Sequence, residues 1–325
     1  MGFFEDLQPG SMLDHYRIDG LVAESGMASV LRATDQTNGR QVALKIPHSS
    51  MEADPVLFDR FKREEEIGTR LNHPNVMGVF SDVKRSRIYM VLEWCDGRLL
   101  RVILNEEGKL PQERAIHITL GILHALEYIH KQGVVHRDLK PENIMVGDND
   151  QIKLIDFGIA SSAGSKRLTY AGFTSTIGTP DYISPEQVKG KRGDGRSDLY
   201  TTGIMLYEML SGKKPFSGDT PMAIMNDRLL NHPLPPQMAE PSISPQLQEI
   251  LYRAMERDPT KRYPTAKEFA WDLENIEKVG VEDRDELREW RNRTSGLQRK
   301  IMLYVGLALI PFVLFGLMVL LVHHK

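Results

Sequence analysis

The stretch His136–Asn143 reads HRDLKPEN. Taken one at a time, charged groups such as Arg137, Asp138 and Lys140 would most often be solvated surface residues. Three other stretches stand with it in a fixed order. VALK at Val42–Lys45 lies upstream, and DFG at Asp156–Gly158 and SPE at Ser184–Glu186 lie downstream. Any one of the four is a weak signal; together, at these intervals, they are a strong one.

The flanking sequence divides into two kinds of structure. Upstream, Tyr16–Val22, Ala28–Asp35 and Arg40–Pro47 are short, rich in β-branched residues and separated by turn signals such as Thr37-Asn38-Gly39, which predicts an antiparallel meander. Val56–Leu71 spaces Phe58, Phe61, Ile67 and Leu71 as a helix does, and further strands are expected at Val76–Val83 and Arg87–Glu93. After Gly97 long helices take over. Pro111–Gln132 sets Ala115, Ile118, Ile122, Ala125 and Ile129 at three- and four-residue steps, and helical patterns recur at Ser197–Leu210, Pro221–Leu230, Pro245–Glu256 and Thr265–Glu274. The fold class is α+β, with a small β-rich part followed by a larger helical one. His124, His130 and the pair His323-His324 read as polar helix or tail residues rather than ligands.

Bulk properties narrow the function. With 41 Lys and Arg against 44 Asp and Glu in 325 residues, the net charge of −3 gives no electrostatic reason to expect a nucleic-acid partner. The single cysteine, Cys95, cannot form an internal disulfide, which fits a reducing compartment. The N-terminus has neither a basic region nor a long apolar run, so no secretory signal is read there. Asp6 stands where a myristoylation motif after Gly2 wants Ser or Thr.

Near the other end, Ile301–Val322 runs 22 residues without a charge. At about 1.5 Å per residue that spans a hydrocarbon core of about 30 Å. Arg284, Arg288, Arg291, Arg293, Arg299 and Lys300 precede the span, and the one cation after it is Lys325. The body is therefore expected on the cytoplasmic side of a single-pass membrane protein. Gly306 and Gly316 supply small residues in the span without a GxxxG pair, which leaves a homodimer open. The organisation expected is an N-terminal segment over 1–15, a catalytic domain over 16–273, a charged linker over 274–300, the span over 301–322 and a tail over 323–325.

The four motifs resemble the signature set of protein kinases, and in detail the Hanks-type Ser/Thr kinases of bacteria. The resemblance covers about Tyr16 to Leu273 and implies a two-lobed kinase fold, ATP and Mg²⁺ (or Mn²⁺) as cofactors, and protein substrates. It implies that Lys45 grips the nucleotide phosphates and that a glutamate of the following helix holds it. Glu64 is the first candidate, Glu65 and Glu66 are its rivals, and at least two of the three are expected at the solvated surface. Asp138 would accept or orient the proton of the attacking hydroxyl, and Lys140 would touch the transferred phosphate. Asn143 and Asp156 would hold the metal. Val22, Val30 and Ala43 would border the nucleotide, Leu92 would be the gatekeeper, and Glu93 to Cys95 the hinge that bonds adenine. Thr174, Ser175 and Thr176 are phosphorylation candidates in an activation loop, with Arg137 placed to pair with the phosphate. Thr179 would bond the catalytic Asp and Lys; Glu186 with Arg262 and Asp198 would be structural.

One stretch departs from the family pattern. LVAESGMASV at Leu21–Val30 places Ala23, Ser25 and Ala28 where glycines usually stand, with Gly26 one step off. If either Ala23 or Ser25 requires a left-handed backbone, about 1–2 kcal/mol of strain would weaken ATP binding, and the double change to glycine would lower the Michaelis constant for ATP. Two alternatives to an active protein kinase stand beside it: a pseudokinase scaffold and a small-molecule kinase. Retention of Lys45, Asp138, Asn143 and Asp156 speaks against the first, and the long DFG-to-SPE segment against the second.

Overall fold

Strands β1 (Met12–Leu13), β2 (Tyr16–Glu24), β3 (Ala28–Asp35), β4 (Gln41–Pro47), β5 (Val79–Phe80) and β6 (Met90–Glu93) form one antiparallel sheet in the order β1-β2-β3-β4-β6-β5. They belong to a computed structural model that describes residues 7–81, 84–156 and 180–284. The sheet forms because alternate residues are apolar: Ile18, Leu31, Ala33, Val42, Leu44, Ile46 and Val91 meet in a single core. The turn between β3 and β4 is closed by the Asp35 carboxylate, which accepts from Thr37 N–H (2.8 Å), Thr37 Oγ1 (2.6 Å) and Asn38 Nδ2 (2.8 Å).

Helices α1 (Ser49–Glu52) and α2 (Pro55–Gly68) follow β4. Asp54 caps α2 by accepting from Val56 N–H and Leu57 N–H, with Pro55 in the first turn. The helix ends at Gly68, where a Cβ would lie 2.4 Å from Val79 Cγ2, so only glycine lets α2 and β5 approach this closely.

Beyond β6 the chain turns through Gly97, whose φ is +146° and whose Cβ would sit 2.4 Å from the Val146 carbonyl oxygen. The helical part comprises α3 (Leu100–Glu107), α4 (Gln112–Lys131), α5 (Pro185–Val188), α6 (Gly195–Ser211), α7 (Pro221–Leu230), α8 (Pro236–Ala239), α9 (Pro245–Ala254) and α10 (Ala266–Glu274). A small sheet of β7 (Arg98–Leu99), β8 (Ile144–Val146) and β9 (Ile152–Leu154) lies on it. Every residue of α6 from Ser197 to Ser211 is buried. Helix α4 packs against α6, α10 and β9, which makes these helices the frame beneath the site.

Three sequence expectations change. The strand expected over Val76–Val83 is short because its first residues are drawn elsewhere: Val76 bridges Leu154, Met77 N–H donates to the Leu154 carbonyl (3.0 Å) and Leu154 N–H to the Asn75 carbonyl (2.8 Å). Residues 82 and 83 lie outside the described set. The N-terminal segment contributes β1 to the sheet, and Leu7 and Leu13 to its core, so the folded unit begins before Tyr16. At its other end Ile276 and Val279 pack on the large core, and the unit closes at Gly280 rather than at Leu273.

Among the described residues no helix is long and apolar enough to cross a membrane. The span expected at 301–322 lies outside them.

Candidate active site

Lys45 stands on β4 opposite Val30 and Met90. Its Nζ lies 2.8 Å from Glu64 Oε1 and 2.7 Å from Asp156 Oδ1. The three consecutive glutamates of α2 thus separate by partner. Glu64 pairs with Lys45, Glu65 with Arg85 at 2.6 Å, and Glu66 with Arg70 at 2.5 Å on the surface. Sequence reasoning placed at least two of them in solvent, but Glu65 and Arg85 are 18% and 22% exposed, so that reading fails for Glu65.

One cation shared by two carboxylates shapes the ionisation. Burial works against a charge on Lys45, but Asp156 and Glu64 more than offset it and raise its pKa, so the ammonium stays protonated. The Lys45 charge holds the Asp156 carboxyl below its usual range. Burial pushes the Glu64 carboxyl up, and the Asp156 charge adds to it against the pull of Lys45.

The second group of residues sits on the loop between α4 and β8. Asp198, buried in α6, accepts from His136 N–H (2.9 Å) and Arg137 N–H (2.8 Å), and its Oδ2 lies 2.8 Å from His130 Nε2. This bracing holds Arg137 at φ +65°, a strained value for a side-chain-bearing residue; Asp156, at φ +52°, is a second such position. Full burial lowers the His136 pKa, and its Nδ1 accepts from Asp138 N–H at 3.3 Å, as a neutral ring can. Asp138 is exposed to the cleft, with Oδ2 2.8 Å from Lys140 Nζ. Asn143 Nδ2 donates to the Asp138 carbonyl at 2.7 Å, which leaves its amide oxygen as the remaining acceptor. Ile155 N–H donates to the Asn143 carbonyl at 2.9 Å, and this bond brings Asn143 beside the residue that precedes Asp156.

Between these groups lies an apolar lining. Ala43, Met77, Met90 and Leu92 form one buried cluster, with Val30, Cys95 and Ile155 packed on it. Val22 is 51% exposed and is not part of it. The Glu93 side chain is structural, accepting from Gly78 N–H (2.9 Å) and Lys153 Nζ (2.8 Å). Burial, reinforced by the Glu93 and Asp96 charges, pushes the Cys95 thiol up to about 11. A thiol with that pKa is a poor nucleophile at neutral pH.

Neither Ala23, near the end of β2, nor Ser25, in the loop that follows, has a positive φ. The strain that the sequence suggested at these two positions is absent, and with it the argument for the double change to glycine. Ala23 sits in the β ladder opposite Val30.

Farther from the cleft, Glu186 Oε1 and Oε2 accept from Arg262 Nη1 (2.8 Å) and Nη2 (2.7 Å), and Glu186 Oε1 also accepts from Ser197 Oγ (2.6 Å). Thr174, Ser175, Thr176 and Thr179 lie outside the described residues. So do Phe157 and Gly158 of the DFG stretch. Three contributors escaped sequence reasoning. The pairs Glu65–Arg85 and His130–Asp198 join residues far apart in the chain and carry no local signal. The hydrogen bonds of Ser25, described below, depend on a turn that composition does not specify.

A family model, the protein kinase domain, matches residues 16–271, and the chain belongs to this family. A probable serine/threonine-protein kinase of Streptomyces coelicolor is 40% identical over 273 residues, which are 82% of this chain and 40% of that protein. The serine/threonine-protein kinase PknB of Mycolicibacterium smegmatis is 34% identical over 294 residues, 89% of this chain and 47% of its own. The chain spans less than half the length of these curated relatives. Among solved structures, the kinase domain of Mycobacterium tuberculosis PknI is similar with a TM-score of 0.64 at 24% identity, covering 83% of this chain and 99% of that one. That likeness speaks to the fold.

Proposed function

We propose that this chain is a serine/threonine protein kinase that transfers the γ-phosphoryl group of ATP to protein hydroxyls. One observation carries the reading: Lys45, Glu64 and Asp156 form one ionic cluster, and Asp138, Lys140 and Asn143 form a second, joined to the first through Ile155. Phosphoryl transfer needs positioning and charge neutralisation more than covalent chemistry, and these residue types supply both.

The roles proposed are those that the protein kinase family suggests for these residues. Asp138 accepts or orients the proton of the incoming hydroxyl, within reach of Lys140, whose ammonium faces the phosphoryl group in flight. Lys45 grips the α- and β-phosphates and is itself held by Glu64. Val30, Ala43 and Leu92 border the adenine, and the backbone of Glu93 to Cys95 bonds it. The Asn143 amide oxygen and the Asp156 carboxylate are hard oxygen donors and fit Mg²⁺, or Mn²⁺ in its place. When bound, such a cation neutralises phosphate charge.

The proposal extends to the rest of the chain. The 301–322 span anchors the kinase in a bacterial inner membrane as a single pass, with the domain in the cytoplasm and 281–300 as a linker. Autophosphorylation falls on Thr174, Ser175 or Thr176, where Arg137 pairs with the phosphate. Incubation with γ-labelled ATP and a generic protein substrate, followed by phosphoamino-acid analysis, is expected to yield phosphoserine and phosphothreonine. Label on sugars or amino alcohols and none on protein would place the chain with small-molecule kinases. Mass spectrometry of the incubated chain is expected to find phosphate between Ser161 and Thr179.

A further inference from the structure

The loop that joins β2 to β3 is folded back on one side chain. Ser25 Oγ accepts from Ala28 N–H at 3.1 Å and from Met27 N–H at 3.3 Å, and its own proton goes to the Ala28 carbonyl at 2.9 Å. Ser25 N–H also donates to that carbonyl, at 3.0 Å, and the Met27 carbonyl accepts from His48 N–H at 2.8 Å. The turn is therefore closed on Ser25 from one side and tied to the end of β4 from the other.

Two backbone N–H groups that converge on one oxygen form an anion nest. In a loop that cradles a nucleotide, such amides are the ones a phosphate oxygen needs. Here a neutral hydroxyl oxygen already occupies them. A glycine at this position would have no atom there and would leave both amides to the ligand.

We infer that the Ser25 hydroxyl is an internal surrogate for a phosphate oxygen: it holds the Met27 and Ala28 amides in the empty loop and competes with the ATP phosphates for them. This rests on the reading of the chain as an ATP-dependent kinase. For phosphate to take the two amides, the Ser25 side chain rotates off them, and its bond to the Ala28 carbonyl breaks at the same time. The cost falls on the phosphate part of the ligand and leaves the adenosine part unchanged. Ser25 is thus a positioning residue for the nucleotide and raises the ATP concentration at which the enzyme works. Ala23 has no such part, because it is a ladder residue opposite Val30 and neither takes up nor frees an amide of the turn.

The test compares two ligands on the full chain. Dissociation constants for the non-hydrolysable analogue AMP-PNP with Mg²⁺, and for adenosine alone, are measured by titration calorimetry for the wild type, Ser25→Gly, Ser25→Ala, Ser25→Thr and Ala23→Gly. Ser25→Gly and Ser25→Ala are expected to bind AMP-PNP roughly fivefold tighter, the worth of about one net hydrogen bond, with adenosine unmoved. Ser25→Thr keeps the hydroxyl and the wild-type ratio of the two constants, and Ala23→Gly leaves that ratio where it was. Agreement between Ala and Gly separates the hydroxyl from backbone flexibility. An AMP-PNP constant that is unchanged or weaker in both variants, or an equal shift for the two ligands, overturns the inference while the wild type still transfers phosphate. A wild type that neither binds AMP-PNP nor transfers phosphate overturns the kinase reading, and the inference with it.

Discussion

Lys45 is the one cation between two carboxylates, 2.8 Å from Glu64 Oε1 and 2.7 Å from Asp156 Oδ1. Replacing Lys45 with Met would leave Glu64 and Asp156 facing each other without a counter-charge. The kinetic readout is kcat/KM for ATP, expected to fall by on the order of a hundredfold or more. Cys95 offers a different test. With its thiol pushed up to about 11, iodoacetamide at pH 7.5 is expected to label it far more slowly than an exposed cysteine of ordinary pKa, as read by mass spectrometry over time. Rapid labelling would show that the sulfur is not buried as described. At this scale the sequence singled out residues that the fold brings together, Lys45 with Asp156 and Asp138 with Asn143. It was silent on Ser25, whose identity suggested a backbone penalty, while the folded loop uses its hydroxyl.

Helix α2 is the element on which the Lys45 pair depends, and it is clamped one residue away from Glu64. Glu65 pairs with Arg85, which also donates to the Tyr89 carbonyl; Asp14 accepts from Ser86 N–H (3.1 Å) and from the Tyr89 hydroxyl (2.6 Å). The turn after β1, the connection between β5 and β6, and α2 are thus linked by one partly buried ion pair and the hydrogen bonds of Asp14. Glu65→Gln and Arg85→Met are each expected to lower kcat/KM through misplacement of Glu64, with a coupling of about 1 kcal/mol in a double-mutant cycle, whereas Glu66→Gln has no effect. In the helical part, Glu186 and Arg262 set an acid limit. Burial alone would raise the Glu186 pKa, but the Arg262 hydrogen bonds and charge carry it below its ordinary value of 4.5. The pair's stabilisation is therefore fully present above that value and is lost as pH falls through the lower folded value. Denaturant melts from about pH 6 to 3 are expected to show this slope in the wild type and a flatter one in Glu186→Gln. Arg262→Ala, which strands a buried carboxylate, is expected to cost roughly 3–5 kcal/mol. Helices were legible because α4 and α10 bury one periodic stripe; the strand expected at Val76–Val83 was not, because Val76 and Met77 pair with Leu154, far away in sequence.

The whole molecule is a two-lobed kinase unit followed by a segment that is proposed to anchor it in a membrane. Composition and four ordered motifs made the unit legible. Its edges at β1 and Gly280 were less so, because they are set by packing of Leu7, Leu13, Ile276 and Val279 rather than by any motif. Fractionation of cells that produce the full chain is expected to place it in the membrane pellet, resistant to carbonate, and deletion of 301–325 to release it. Recovery of the intact chain in the supernatant would contradict the anchor. The central claim is that Asp138 serves phosphoryl transfer to protein. Its most direct measurement is the rate of label transfer from γ-labelled ATP with Mg²⁺ to myelin basic protein, compared between the wild type and Asp138→Asn. The account predicts a loss of roughly a hundredfold or more in the variant with its thermal midpoint retained; equal rates in the two proteins would contradict it.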